Sequence, residues 1–292
     1  MRILFQFLLT IGSAINAAAA DKACSPVPGA EQIWSRAGLH WVLVGEMHGS
    51  NETPAAFHDL VCDAIAHGKH VTVALERPDS EQAVLSDILT AKDLAKAKES
   101  LFQLHEWKDV PDGRASQAIL GLLVSLRELR SLQPDLKVVA FDPPHDGTAA
   151  QREEGMAHNL LSVAHTRPND LVLALTGNLH AMQASKRYDL MSMYLPPEQR
   201  LSLLVTDSGG TSWSDSTQEG CGPNRGTVLD KDPKRPYGIF LDSSLAPFGK
   251  VDGILSLGVP LTPSAPAAGE PSPSLACRKL FLSQHQTVSK NP

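Results

Sequence analysis

Two four-residue segments, Gly45-Glu46-Met47-His48 and Gly177-Asn178-Leu179-His180, each set a histidine three residues after a glycine. A glycine there lets the backbone turn sharply or approach a substrate closely. Between them, Glu76 and Arg77 follow an apolar run. Imidazole and carboxylate groups brought together can make water nucleophilic and then protonate a leaving group, which are the two demands of hydrolysis. Two routes satisfy them. In one, two histidines and one or two glutamates bind a divalent metal that brings the pKa of bound water to about 7; Glu46, His48 and His180 would then be ligands, with Glu76 as base or fourth ligand. In the other, an unmetallated histidine is the general base and a carboxylate orients it. The residue types are compatible with both.

These groups can act together only if the fold gathers them. Five apolar runs have strand character: Trp41–Val44, Val71–Leu75, Lys137–Phe141, Leu171–Leu175 and Leu201–Val205. Most are near-continuous rather than alternating, as in strands buried on both faces. Helical periodicity separates them, starting with Thr53-Pro54 as N-cap and first helical residue and continuing in Ala115–Leu132 and Glu153–Ala164. Alternation of this kind predicts an α/β fold of three layers, a mainly parallel sheet flanked by helices. The carboxyl ends of parallel strands share one edge, where open α/β sheets bind ligands. Each run is followed there by polar groups: Glu46 and His48, Glu76 and Arg77, Asp142, Asn178 and His180, and Asp207. The stretch from about 79 to 133 exceeds one crossover helix and is expected as a helical insertion over the active edge. Residues 208–236 read as loop, with late strands near Tyr237–Leu241 and Gly253–Leu257.

Four segments resemble one superfamily. Gly45-Glu46-Met47-His48-Gly49-Ser50-Asn51-Glu52, Ala74-Leu75-Glu76-Arg77-Pro78, Arg152-Glu153-Glu154-Gly155-Met156-Ala157-His158-Asn159-Leu160 and Gly177-Asn178-Leu179-His180-Ala181 are similar to the group joining erythromycin esterases, ChaN-like haem-uptake proteins and Tiki/TraB proteins. Trp107–Ser116, with Asp112-Gly113-Arg114, also fits. The resemblance implies a site of Glu46, His48, Glu76 and His180, with Arg152 at the start of a helix beside the same edge. It implies either an ester- or amide-cleaving hydrolase or a haem-binding uptake protein, since both kinds occur in the group. On the hydrolase reading His48 activates water with Glu46 or Glu76, while His180 and Arg152 polarise the scissile carbonyl. Haem would need an axial ligand, and Tyr188, Tyr194 and Tyr237 lie in none of the shared motifs.

Other residues are weaker candidates. Arg77 and Arg152 have the charge to hold an oxyanion or a substrate carboxylate, or to pair with Glu46 or Glu76 and only fix geometry. Asn178, Asp142 and His145 stand near the same edge as candidate substrate contacts. His58, His67, His70 and His105 read as surface or locally bonded histidines, and Trp107 as a packed side chain.

Residues 1–20 read as a signal peptide, with Arg2 ahead of an apolar run and Ala17–Ala20 offering small residues for cleavage. The expected product is periplasmic or secreted, without stable membrane insertion. Removing that leader takes Arg2 from the 26 Lys and Arg and none of the 32 Asp and Glu, so the formal charge moves from −6 to −7. With no basic cluster, nucleic acid is excluded as an expected partner; a small-molecule or peptide substrate is expected instead. Residues 21–258 suit a single domain. From 259 the chain is rich in Pro, Ala and Ser and reads as an extended or disordered tail. Cys24, Cys62, Cys221 and Cys277 allow three pairings, and Cys62, in an apolar helix, reads as a buried free thiol.

Overall fold

Every one of the five apolar runs forms a strand: β1 (Trp41–Glu46), β2 (Val71–Pro78), β3 (Lys137–Asp142), β4 (Leu171–Gly177) and β5 (Arg200–Thr206). The computed structural model describes residues 24–269 except 111, 217–219 and 227. The expected signal peptide and the end of the C-terminal segment lie outside them. A hairpin of β6 (Thr211–Ser216) and β7 (Gly220–Arg225) follows, then β8 (Gly238–Phe240) and β9 (Gly253–Ser256). Seven strands make one sheet in the order β3-β2-β4-β1-β5-β9-β8. All neighbours are parallel except β8 and β9.

The continuous apolar runs have the predicted cause. In β1, Val42 and Val44 join the core on one face, while Trp41 and Leu43 join the core on the other. Helix α1 (Glu52–Ala66) covers the first face with Phe57, Leu60, Val61 and Ala64. Its first turn is capped by Ser50, whose hydroxyl accepts from Thr53 N–H at 3.3 Å, so the helix starts earlier than a Thr53 cap would place it. The insertion contributes α2 (Gln82–Thr90), α3 (Leu94–Gln103) and α4 (Gln117–Leu129). Helix α2 packs on β3, and α4 packs on α1 and α2, so the insertion widens this helical layer; Glu106, Val110, Asp112 and Arg114 from it reach the active edge. The second face is covered by α5 (Ala149–Thr166) through Met156, Ala157, Leu160 and Val163.

Three connections differ from their sequence reading. The 208–236 loop contains the β6–β7 hairpin, whose pairing partners include Gly222, Pro223 and Asn224, residues of low strand preference. It is recognised through its contacts: Trp213 N–H donates to Gly49 O at 2.8 Å, and the Asn224 amide donates to Ser214 O at 2.9 Å. Residues 261–267 are extended, as their composition suggests, yet they are bonded in place. Asn51 N–H donates to Thr262 O, Ser264 N–H to Gly49 O, Gln117 N–H to Ala265 O and Ala267 N–H to Ala115 O. This strap therefore ties the loop after β1 to the loop before α4. Finally, Cys62 is not a free thiol: it is bridged to Cys24, fastening the segment before β1 to α1, and Cys221 is disulfide-bonded as well. Among the described residues no helix is long and apolar enough to cross a membrane.

Candidate active site

Parallel strands β2, β4 and β1 lie side by side, and their carboxyl ends bring Glu76, Gly177 and Glu46 together. Helix α5 begins with a capping box in which Thr148 Oγ accepts from Gln151 N–H and Gln151 Oε1 accepts from Thr148 N–H. The fixed first turn aims Arg152 and Glu153 at the same edge. Of the five expected catalytic residues, Arg152, His180 and His48 lie within 3.8 Å of Glu76, and Glu46 joins them through His48.

Glu76 is the hub. Its Oε2 accepts from Gly177 N–H at 2.6 Å and Thr176 Oγ1 at 2.9 Å; its Oε1 accepts from Arg152 Nη2 at 2.8 Å and Arg114 Nη1 at 3.4 Å. His180 Nε2 stands 3.5 Å from Oε1 and His48 Nε2 stands 3.8 Å from Oε2. Burial works to raise this carboxyl, but the His180 hydrogen bond and the charges of His48, His180 and Arg114 outweigh it and hold it well below the usual carboxylate range. Glu76 is thus a fixed anion, not a proton carrier.

His48 and Glu46 form a separate dyad. His48 Nδ1 lies 3.0 Å from Glu46 Oε1. Burial pulls the imidazole down, yet the Glu46 hydrogen bond and the charges of Glu76 and Glu46 prevail and raise it. Burial raises Glu46 in turn, against the His48 hydrogen bond. With Nδ1 committed to Glu46, Nε2 is the atom available for a proton from water. Room for it depends on Gly177, where a Cβ would stand 3.2 Å from His48 Nε2 and 3.4 Å from Glu76 Oε2.

His180 is held between two acids. Its Nδ1 is 2.8 Å from Glu153 Oε1, and the other Glu153 oxygen accepts from Met191 N–H at 2.7 Å. Burial would lower its pKa, but its hydrogen bonds to Glu153 and Glu76 and their charges push it up to about 9. This favours the imidazolium at neutral pH, with Arg152 Nη1 also 3.3 Å from Nε2. Arg152 donates from Nε and Nη2 to the two oxygens of Asp142, at 2.8 and 2.7 Å.

A cleft of about 770 Å³ opens over this edge, and its walls include Glu46, His48, Asp112, Arg114, His145 and Asn178. Glu76, Asp142, Arg152 and His180 do not form part of its wall. They adjoin it, and Arg114 is a cation on the wall beside the expected Arg152. Arg114 bonds Asp112 through Nε at 2.7 Å and Asp142 through Nη1 at 3.3 Å. Asn178 is buried with neither amide atom partnered, and Glu46 Oε2 is buried without a partner too. His145 is half exposed with Nε2 2.9 Å from Asp142.

Arg77 departs from its expected role. It is 3% exposed, forks onto Glu81 at 2.9 and 2.7 Å, and stacks 4.8 Å from the Trp107 ring centre. The β2–β3 register shifts between Leu75 and Pro78, and there Glu76 takes the contacts with His48, His180 and Arg152 while the Arg77 guanidinium is committed to Glu81. Asp207 binds Gly209 N–H and shapes a turn. His70, at the amino end of β2 and therefore at the opposite edge, bridges Asp135 and Asp170. Two residues without individual sequence signals join the site: Arg114, from the irregular part of the insertion, and Glu153, next to Arg152 in the same motif.

The expected metal set does not fit a resident cation. Glu46 Oε1 faces His48 Nδ1, both His180 nitrogens have protein neighbours, and both Glu76 oxygens are engaged, one by guanidinium groups whose charge opposes a cation. Among the described residues no group of three or more His, Cys, Asp or Glu is arranged to hold one. None of Tyr188, Tyr194 and Tyr237 lines the cleft.

No family model and no curated protein sequence matches this chain. Solved structures do resemble it. An erythromycin esterase mutant in its open conformation superposes with a TM-score of 0.54 at 11% identity, covering 80% of this chain and 93% of that one. A succinoglycan biosynthesis protein gives 0.59 at 10% identity, covering 80% and 91%. The chain has the erythromycin-esterase-like fold: a mostly parallel seven-stranded sheet flanked by helices, with the site at the carboxyl edge of its strands.

Proposed function

We propose that the protein is a hydrolase of esters or amides in which the Glu46–His48 dyad activates water. The observation that carries this reading is His48 Nδ1 held 3.0 Å from Glu46 Oε1 on the wall of an open cleft, with Nε2 left for a proton. His48 Nε2 removes a proton from water as its oxygen bonds to the carbonyl carbon. The resulting oxyanion is met by the unpartnered Asn178 amide on the cleft wall. The tetrahedral species then collapses: the bond from carbon to the leaving oxygen or nitrogen breaks, and His48 returns its proton to the leaving group. Glu76, His180, Glu153, Arg152 and Asp142 hold this wall in place. The Arg2-led leader and the Cys24–Cys62 bridge support an exported protein in an oxidising compartment.

A panel of ester and peptide substrates, assayed before and after chelation, tests the reading. Turnover that survives chelation is expected; no turnover on any substrate, or turnover abolished by chelation, contradicts it. Haem binding without chemistry has one observation in its favour, the half-exposed His145 on the cleft wall as an axial ligand. A Soret band saturating at one haem per chain would support that second reading.

A further inference from the structure

The two Gly-x-x-His segments are alike in more than their histidines. In each, the residue after glycine is a buried polar group, Glu46 or Asn178, and the next is an exposed apolar one, Met47 at 51% or Leu179 at 43%. Strands β1 and β4 are adjacent and in register, Glu46 against Gly177, so the segments emerge side by side. Both apolar side chains line the cleft, joined by Phe248, 39% exposed, and by Val110 and Met182. Met47, Leu179 and Phe248 are three of the six large apolar side chains exposed among the described residues. Isolated exposed apolar residues are ordinary; half of them gathered around one charged floor mark a binding surface.

Beneath this rim are polar atoms that need a partner. Both amide atoms of Asn178 and Glu46 Oε2 are buried without one, and buried polar atoms of this kind call for a partner, which water or a polar ligand group can supply. The charge of the walls is also selective. Arg114 is engaged by Asp112, Glu76 and Asp142, and Glu106 and Asp112 line the cleft as well. A carboxylate or phosphate on the ligand would meet a neutralised guanidinium and acidic neighbours.

We propose that the cleft takes an uncharged ester or amide whose apolar body lies across Met47, Leu179 and Phe248 while its polar carbonyl end reaches Asn178. This names the substrate class of the hydrolase proposed above and rests on that reading for its chemistry, but not for its binding. Each methylene laid on the rim should strengthen binding by about two- to fourfold.

Calorimetry with octanamide, acetamide and octanoate tests the site without requiring turnover. Octanamide is expected to bind at least about tenfold more tightly than either of the others, because acetamide lacks the apolar body and octanoate is charged. Leu179→Ser and Met47→Ser, both at exposed positions, should each weaken octanamide by about tenfold while leaving the melting temperature unchanged. Equal binding of octanamide and acetamide, preference for octanoate, or variants without effect would overturn the proposal. The kinetic arm compares acetyl and octanoyl esters of p-nitrophenol. Chain-length preference that Leu179→Ser flattens supports the site; hydrolysis indifferent to chain length overturns it and leaves the hydrolase reading standing. Octanamide binding without any hydrolysis supports the apolar site and removes the hydrolase reading instead.

Discussion

His180 Nδ1 lies 2.8 Å from Glu153 Oε1, while its Nε2 lies 3.5 Å from Glu76 Oε1, so one imidazole ring is held between two buried carboxylates. The ring is outside the cleft wall, and its positive charge keeps the Glu76 hub anionic. On the proposed mechanism its contribution is positioning rather than contact with substrate.

The pH dependence follows from two histidines of different duty. His48 must be neutral to take a proton, and its pKa is raised above the ordinary 6.5, so kcat/KM should rise with pH along a limb centred above 6.5. His180 must stay charged, so activity should fall again as pH passes about 9. Stability has the same upper boundary: a histidine raised to about 9 contributes fully below 6.5, and its contribution is lost as pH rises through about 9. Rate profiles and melting temperatures between those limits check both limbs.

Replacing Glu153 by Gln removes one of the two charges that raise His180. The alkaline limb should move to lower pH with the acid limb unchanged, and the His180 ring protons should titrate at lower pH by NMR. A uniform loss of rate at every pH, with His180 titrating as before, would leave Glu153 a purely structural part.

Arg114 and Arg77 should separate cleanly. Arg114→Ala leaves Asp112, Glu76 and Asp142 without a shared cation beside His48 and should lower kcat while the protein stays folded. Arg77→Ala leaves Glu81 buried and unpaired and should cost about 3–5 kcal/mol of stability, while the folded enzyme keeps its KM. Urea melts and steady-state kinetics on both variants give the comparison.

The Cys24–Cys62 bridge closes a loop of 38 residues and should contribute roughly 4 kcal/mol on loop entropy alone. Cys24→Ser, Cys62→Ser and the double variant should therefore be destabilised by similar amounts rather than additively, as urea midpoints would show.

The sheet and the carboxyl-edge site are legible in the sequence because strands buried on both faces are continuous apolar runs, and the polar residues that end them are conspicuous. Glu46, His48, Glu76 and His180 were readable for that reason. Arg114 appears in the sequence only within a weaker resembling stretch, and its role becomes visible only when the insertion folds back onto residues 76 and 142. Arg77 misleads because its partner, Glu81, comes from the turn after β2 and buries the guanidinium in an ion pair that sequence adjacency to Glu76 does not reveal. The hairpin of β6 and β7 escapes because Gly, Pro and Asn on β7 carry little strand preference and its pairing is fixed by contacts with the loop after β1.

The measurement that bears most directly on the Glu46–His48 dyad is turnover by His48→Ala on the best ester or amide substrate, with circular dichroism and the melting temperature recorded on the same sample. A loss of about a thousandfold or more in kcat with the fold unchanged is expected. Turnover within a few-fold of the parent protein would contradict His48 as the base and, with it, the mechanism built on this edge of the sheet.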